Sequence, residues 1–107
     1  MHVLFVCSKN QWRSPTAERI FSHHPKLLVR SAGTRASAKH QVSLKDIEWA
    51  DIIFCMENTQ KDMIKQRFSN IKLSPLHVLD IEDHYHFMDP ELVHLLQISL
   101  EKFLPSL

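Results

Sequence analysis

Long apolar runs are missing from this chain. Its first apolar stretch, Val3 to Cys7, is far shorter than a signal-peptide core or a membrane span, and no other segment exceeds it. Cysteine is scarce too: only Cys7 and Cys55 are present, which excludes a disulfide framework. Charge of one sign is also lacking. The formal net charge is +1, so no strong overall field draws the chain to nucleic acid or an anionic membrane, although a local basic patch is compatible with it. Internal repeats, low-complexity runs and linkers are absent. With 107 residues, 44% of them apolar, the chain suits one compact domain over residues 1–107 with a single core. A chain of this length buries roughly two-thirds of its unfolded surface. The expectation is a soluble, cytoplasmic, thiol-containing domain.

What is present alternates between strand and helix. "HVLFVC", residues His2 to Cys7, is a β-branched and aromatic run without polar alternation, as in a strand covered on both faces. Ser14-Pro15 then predicts a helix start, with Ser14 as cap, Pro15 at the first helical position and an apolar stripe of Ala17, Ile20 and Phe21. Glu18 falls one residue late for a capping box. "KLLVRSAGT" supplies a second strand ending at Gly33, the only glycine, and Arg35 to Gln41 read as a polar loop. Ser43 caps a short helix, "DIIFCM" is another doubly covered strand, and "NTQKDMIKQRF" is a helix with Met63, Ile64 and Phe68 inward. Lys61 and Lys65 read as its solvated face, and Trp49 and Met56 as core. "PLHVLDI" is the last strand; "EDHYHFMDP" is a loop; Asp89-Pro90 opens a helix with a wide apolar face from Leu92 to Leu104. Strands alternating with helices predict an α/β, doubly wound parallel sheet in which ligands sit beyond the carboxyl ends of the strands. Cys7 lies at such an end.

Cys7 and Arg13 are six positions apart, between that strand and the Ser14-Pro15 helix start. A thiolate nucleophile needs stabilisation of its charge, and a strand-to-helix loop provides it through backbone N–H groups and the positive end of the helix dipole. The same groups suit three oxygens of a phosphate. The intervening Ser8, Lys9, Asn10, Gln11 and Trp12 let the chain circle a tetrahedral anion and return Arg13 to its rim for bidentate binding. Ser14 is placed to hydrogen-bond the sulfur. Spacing alone fits a buried core cysteine equally well; strand, loop and helix start together favour the nucleophile.

These residues resemble the low-molecular-weight protein tyrosine phosphatases, whose pattern is an apolar strand followed by C-x5-R-S-P-x-A-E. Cys7, Asn10, Arg13, Ser14, Pro15, Ala17 and Glu18 match it, and "RSAGT", "DIIFCMEN" and "IEDHY" follow in the family's order. The resemblance implies a four-stranded parallel sheet of order 2-1-3-4 and metal-free, two-step phosphoryl transfer without a cofactor. Cys7 would attack phosphorus in line, an acid would protonate the leaving oxygen, and water would hydrolyse the phosphocysteine. Arg13 and the loop amides would stabilise the phosphoryl oxygens, and Asn10 and Ser31 would brace the loop. The partner implied is a phosphorylated substrate, a phosphoprotein or small phosphomonoester, with phosphate, sulfate or a similar oxyanion fitting the loop. Nucleic acid enters only as a terminal-phosphate substrate, and a membrane not at all.

Two aspartates compete as the acid. Asp83 in "IEDHY" stands where the family's segment after the last strand carries its acid; Asp89 keeps the family's Asp-Pro pair but also fits a helix cap. Register from the strand end favours Asp83. Other departures alter the expected cleft. The stretch between "SAGT" and "DIIFCM" is short, which implies a shallower or differently walled cleft. Trp12 stands where many members have a second loop cysteine, so a loop disulfide is excluded and Cys55 reads as core. Lys9 sets a cation at the mouth, and His84 and Tyr85 replace paired tyrosines as a substrate wall.

Three function classes follow: a cysteine-dependent phosphomonoesterase, an arsenate reductase, and a non-catalytic oxyanion- or phosphoprotein-binding module. The reductase relay needs extra cysteines near the nucleophile, and only Cys55 is available. Phosphotyrosine, phosphoarginine, a sugar phosphate and a nucleic-acid terminal phosphate all stay open as substrates. The pairs His23-His24 and His84-x-His86 lack a matching ligand set at metal spacing, so they read as surface or loop histidines.

Overall fold

The computed structural model describes residues 1–104. Four strands form one parallel sheet: β1 (His2–Cys7), β2 (Leu28–Gly33), β3 (Ile52–Cys55) and β4 (Leu76–Val78), in the spatial order β2-β1-β3-β4. Four helices alternate with them: α1 (Arg13–Phe21), α2 (Leu44–Trp49), α3 (Asn58–Arg67) and α4 (Pro90–Phe103). This is the doubly wound arrangement that the alternating pattern predicts.

Side-chain alternation along β1 explains why both faces need cover. Val3, Phe5 and Cys7 join Phe54, Ala17 and the α4 leucines Leu92, Leu96 and Leu100 in one buried cluster. Leu4 and Val6 join Ile53, Cys55, Ile47 of α2 and Ile64 of α3 on the other. Fully burying a side chain such as Phe5 or Phe54 contributes roughly 1.5–3 kcal/mol. β1 is thus the central element, and its carboxyl end opens beside β3 on one side and β2 on the other. Chains leaving there in opposite directions create the crevice that parallel sheets use for ligands.

Four local expectations change. Helix α1 begins at Arg13 with Trp12 at its N-cap and no capping side chain, because the Ser14 hydroxyl is turned toward Cys7 instead. Met63 is 39% exposed, while Ile64 and Phe68 are buried, since α3 presents a narrow stripe to the sheet. β4 pairs over three residues, shorter than the apolar run that contains it. Trp49 is half-buried rather than core, stacked on His2 at 4.5 Å with the Arg30 guanidinium 4.2 Å from its ring. Ser43 caps α2 in a full capping box with Asp46, as its position suggests. No helix among the described residues is long and apolar enough to cross a membrane.

Candidate active site

The loop of residues 8–12 carries the chain from β1 into α1. Its start is tied to the connection that follows β2: Thr34 N donates to Cys7 O at 3.0 Å, Arg35 N to Ser8 O at 3.0 Å, and Lys39 N to Lys9 O at 3.1 Å. Gly33 makes this approach possible. A Cβ there would lie 2.6 Å from Ser8 O, 2.6 Å from Ala38 Cβ and 2.9 Å from Asn10 N, distances that backbone atoms do not tolerate. Asn10 turns the loop at φ 52°, a left-handed conformation that asparagine accepts better than most residues.

A directed hydrogen-bond chain holds the thiol's neighbour. Ser31 Oγ donates to Glu18 at 2.6 Å, which fixes its proton and leaves its lone pairs for Asn10. Asn10 Nδ2 donates to Ser31 Oγ and to Ser14 Oγ, each at 2.9 Å. With Asn10 donating into it, Ser14 keeps its own proton for an acceptor, and Cys7 Sγ lies 3.0 Å away, nearer than Ala32 O at 3.3 Å. The structure thus links Asn10, Ser14 and Ser31 by hydrogen bonds behind the loop, with the Ser14 hydroxyl against Cys7. Glu18, which orients these hydrogen bonds, matched the family pattern but had no role assigned to it from sequence.

Arg13 is 2% exposed, so its charge needs partners. Nη1 pairs with Glu57 and donates to Ile81 O at 2.8 Å, while Nε lies 3.6 Å from Asp83 Oδ1. Glu57 sits just beyond β3 at the start of α3, and buried Gln60 one turn on donates to Ser8 Oγ at 2.9 Å. Sequence reasoning missed both. Their signal was position: a polar run immediately after a buried strand, at the same edge of the sheet as Cys7.

Cys7, Lys9, Gln11, Trp12, Arg13 and Asp83 line one pocket of about 30 Å³, room for a phosphoryl-sized group and little more. Ser8 and Asn10 belong to the loop but serve it from behind. The two aspartates are separated by the fold: Asp83 reaches the pocket, whereas Asp89 is the N-cap of α4 and accepts from Glu91 N at 2.9 Å. The wall expected from His84 and Tyr85 is not on this pocket. His84 pairs with Glu82, and Tyr85 packs against the α4 side of the core. Partial burial, with Glu91, Asp89 and Glu82 nearby, pushes the Tyr85 phenol up. Trp12 forms the wall instead, with the His86 ring against it at 4.8 Å. Cys55 is fully buried in β3, and burial pushes its thiol up to about 12. Among the described residues, no three His, Cys, Asp or Glu side chains gather as a metal site.

A buried thiol beside a hydroxyl donor, a paired arginine and a carboxylate can bind a tetrahedral oxyanion and exchange a group with it. The comparisons agree with this geometry. A family model for low molecular weight phosphotyrosine protein phosphatase matches residues 2–45, which include the whole Cys7–Arg13 loop and Ser31. The fold matches SP-PTP, a low molecular weight protein tyrosine phosphatase from Streptococcus pyogenes, at 18% identity and TM-score 0.76, covering 99% of this chain and 92% of that one. It matches the YwlE arginine phosphatase from Geobacillus stearothermophilus at 25% identity and TM-score 0.71, covering 98% of this chain and 93% of that one. The tyrosine phosphatase Wzb from Escherichia coli K30, in complex with phosphate, matches at 17% identity and TM-score 0.71, covering 99% and 97%. Compared by sequence alone with curated proteins, the chain matches none.

Proposed function

We propose that the chain is a member of the low-molecular-weight phosphotyrosine protein phosphatase family, a phosphoric monoester hydrolase that dephosphorylates protein side chains through a phosphocysteine on Cys7; the family model over residues 2–45 and the matching folds support this reading. The observation that carries this reading is the placement of Cys7, Arg13 and Asp83 on one phosphoryl-sized pocket.

In the first step the Cys7 thiolate attacks phosphorus in line. An S–P bond forms, the bond from phosphorus to the leaving oxygen breaks, and Asp83 gives that oxygen its proton. Ser14 donates to the sulfur when it carries charge, which lowers the cost of the thiolate and of its later departure. Arg13 has Nη1 committed to Glu57 and Ile81, so Nε and Nη2 are left to grip two phosphoryl oxygens. The uncapped first turn of α1 adds free backbone N–H groups at the same place. In the second step water attacks phosphorus, Asp83 takes its proton, and the S–P bond breaks to release phosphate. The chemistry needs no cofactor and no metal.

Phosphotyrosine is the reading the family supports best. Phosphoarginine is the second, favoured by the 25% identity to an arginine phosphatase over nearly the whole chain. The substrate beyond its phosphoryl group would lie across Trp12, toward the groove of about 380 Å³ that Trp12 and Phe87 border. Arsenate reduction is disfavoured because the remaining cysteine is sealed in β3. Two free thiols, one of them the nucleophile, suit the cytoplasm as the working compartment.

The test is turnover of nitrophenyl phosphate with a chelator present, followed by phosphotyrosine and phosphoarginine peptides. Metal-independent turnover abolished by Cys7→Ser is expected. Phosphate binding without turnover would make the chain an oxyanion-binding module instead. Turnover unchanged in Cys7→Ser would refute the mechanism.

A further inference from the structure

The segment that carries Asp83 is anchored to the phosphate loop at both of its ends. At the near end, Ile81 N donates to Met56 O at 2.9 Å, and Ile81 O accepts from Arg13. At the far end, Met88 N donates to Thr16 Oγ1 at 2.9 Å, and Thr16 Oγ1 donates to Trp12 O at 2.6 Å. A threonine hydroxyl bonding back to the carbonyl four residues earlier is ordinary in a helix. Accepting a second bond from a loop 72 residues away is not required by the helix. Thr16 is fully buried, so water does not compete for either bond.

Met88 supplies a second observation. Its φ is 62°, a left-handed conformation that is unfavourable for methionine and persists only where the surroundings over-determine it. Here the surroundings are the Thr16 bond on one side and, on the other, Asp89, whose N–H donates to His86 O at 3.1 Å before its side chain caps α4. Without Thr16, the Met88 turn loses the bond that opposes its relaxation. Asp83 itself has little to hold it, being 54% exposed with Arg13 Nε 3.6 Å away as its ion-pair partner.

We propose that Thr16 is a positioning residue for proton transfer: its hydroxyl fixes the far end of loop 82–88 on the phosphate loop, so that Asp83 meets the leaving oxygen. The proposal rests on Asp83 as the general acid. Proton transfer needs heavy atoms within about 2.6–3.2 Å, and small misplacement of an acting group costs up to about a hundredfold. A loop fixed at one end only would spend much of its time outside that range.

Thr16→Val removes both bonds and Thr16→Ser keeps the hydroxyl. On phenyl phosphate, whose leaving group needs the proton, Thr16→Val is expected to lower kcat/KM, which reports the first step alone, about tenfold; on nitrophenyl phosphate the loss in kcat/KM stays under about twofold. Thr16→Ser restores the phenyl phosphate rate. Placed in an Asp83→Asn chain, Thr16→Val adds no further loss, because the group it positions is already gone. Should Thr16→Val not fold, Thr16→Ala reads the same ratio. Equal losses on both substrates, or a full further loss in the Asp83→Asn background, would overturn the role of Thr16. An Asp83→Asn chain with unaltered leaving-group dependence would sink the acid assignment, and the role of Thr16 with it. A normal Asp83→Asn effect beside a neutral Thr16→Val sinks the role of Thr16 alone.

Discussion

Residues 8–12 and residues 82–89 both lie at the Cys7 pocket, but the first are held by hydrogen bonds from several elements, and the second by hydrogen bonds near their ends with the Tyr85 and His86 rings packed between. The loop of residues 8–12 has its Ser8 and Lys9 carbonyls bonded to Arg35 and Lys39, its Asn10 side chain bonded to Ser14 and Ser31, and the Ser8 hydroxyl bonded to Gln60. The loop bearing Asp83 is mostly exposed and is pinned through Ile81 and Met88. The difference matches the two tasks proposed for them. Stabilising charge on phosphoryl oxygens requires donors fixed in advance, since reorganising them during the reaction cancels the gain. Delivering a proton requires an acid near water that changes protonation state twice in each cycle, which an exposed carboxylate does at little solvation cost.

Substitutions can break or sharpen this contrast. The largest effect belongs to the gripped loop. Cys7→Ser is expected to lower nitrophenyl phosphate turnover by on the order of 10⁴-fold or more, while calorimetric binding of phosphate persists because its donors are untouched. Loss of phosphate binding as well would mean that the thiol also shapes the cradle.

Next comes the acid. Asp83→Asn should lower phenyl phosphate turnover by about 10²-fold and nitrophenyl phosphate turnover far less. Asp89→Asn should leave both rates near the parent's, because asparagine also caps a helix. The reverse ranking would assign the acid to Asp89.

Gly33→Ala probes how rigidly the cradle is backed. The added Cβ meets Ser8 O and Ala38 Cβ at 2.6 Å, so the loop or the residue 34–39 connection must shift. A stability loss of about 1–3 kcal/mol in urea titration, with weaker inhibition by phosphate, is expected. Parent-like values for both would show that the cradle yields.

The smallest effect concerns Asp46, which anchors the connection behind that cradle. Burial pushes its carboxyl up, but the Ser43 backbone N–H, His40 and the Ser43 hydroxyl outweigh it and hold the value below the ordinary 3.8. A folded-state value below the unfolded one contributes stability above the unfolded value, and that contribution is lost as pH falls through the folded one. The stability gap between the parent and Asp46→Asn should therefore narrow as pH falls from about 5 to about 3. A gap independent of pH in urea titrations would exclude this role for the carboxylate.

Much of the fold and half of the site were legible in the residues. The doubly covered strand, the Cys7–Arg13 spacing, the Ser43 cap and the alternation of strand and helix are local patterns. Local patterns are dictated by side-chain shape, backbone preference and nearest neighbours, all of which travel with the sequence. Asn10, Ser14 and Ser31 were legible through resemblance, since nothing in their spacing joins β2 to the loop. The roles of Glu18, Glu57, Gln60 and Thr16 were not legible, because each acts through a partner on another element. Ser14 shows the boundary most clearly. As a sequence it is a helix cap, and in the structure it serves the thiol, because Asn10 and Cys7 offer its hydroxyl better-placed partners than the first turn of α1 does.

By itself, then, the sequence determined the order of elements, the two buried faces of β1 and the Cys7–Arg13 loop at its end. Tertiary structure alone decided which aspartate reaches the pocket, which side chain walls it and what holds Arg13. Those choices depend on where β3, β4 and α4 bring residues 57, 81–83 and 86–88 relative to Cys7. That placement is set by packing between segments far apart in the chain, and no local preference of those residues encodes it.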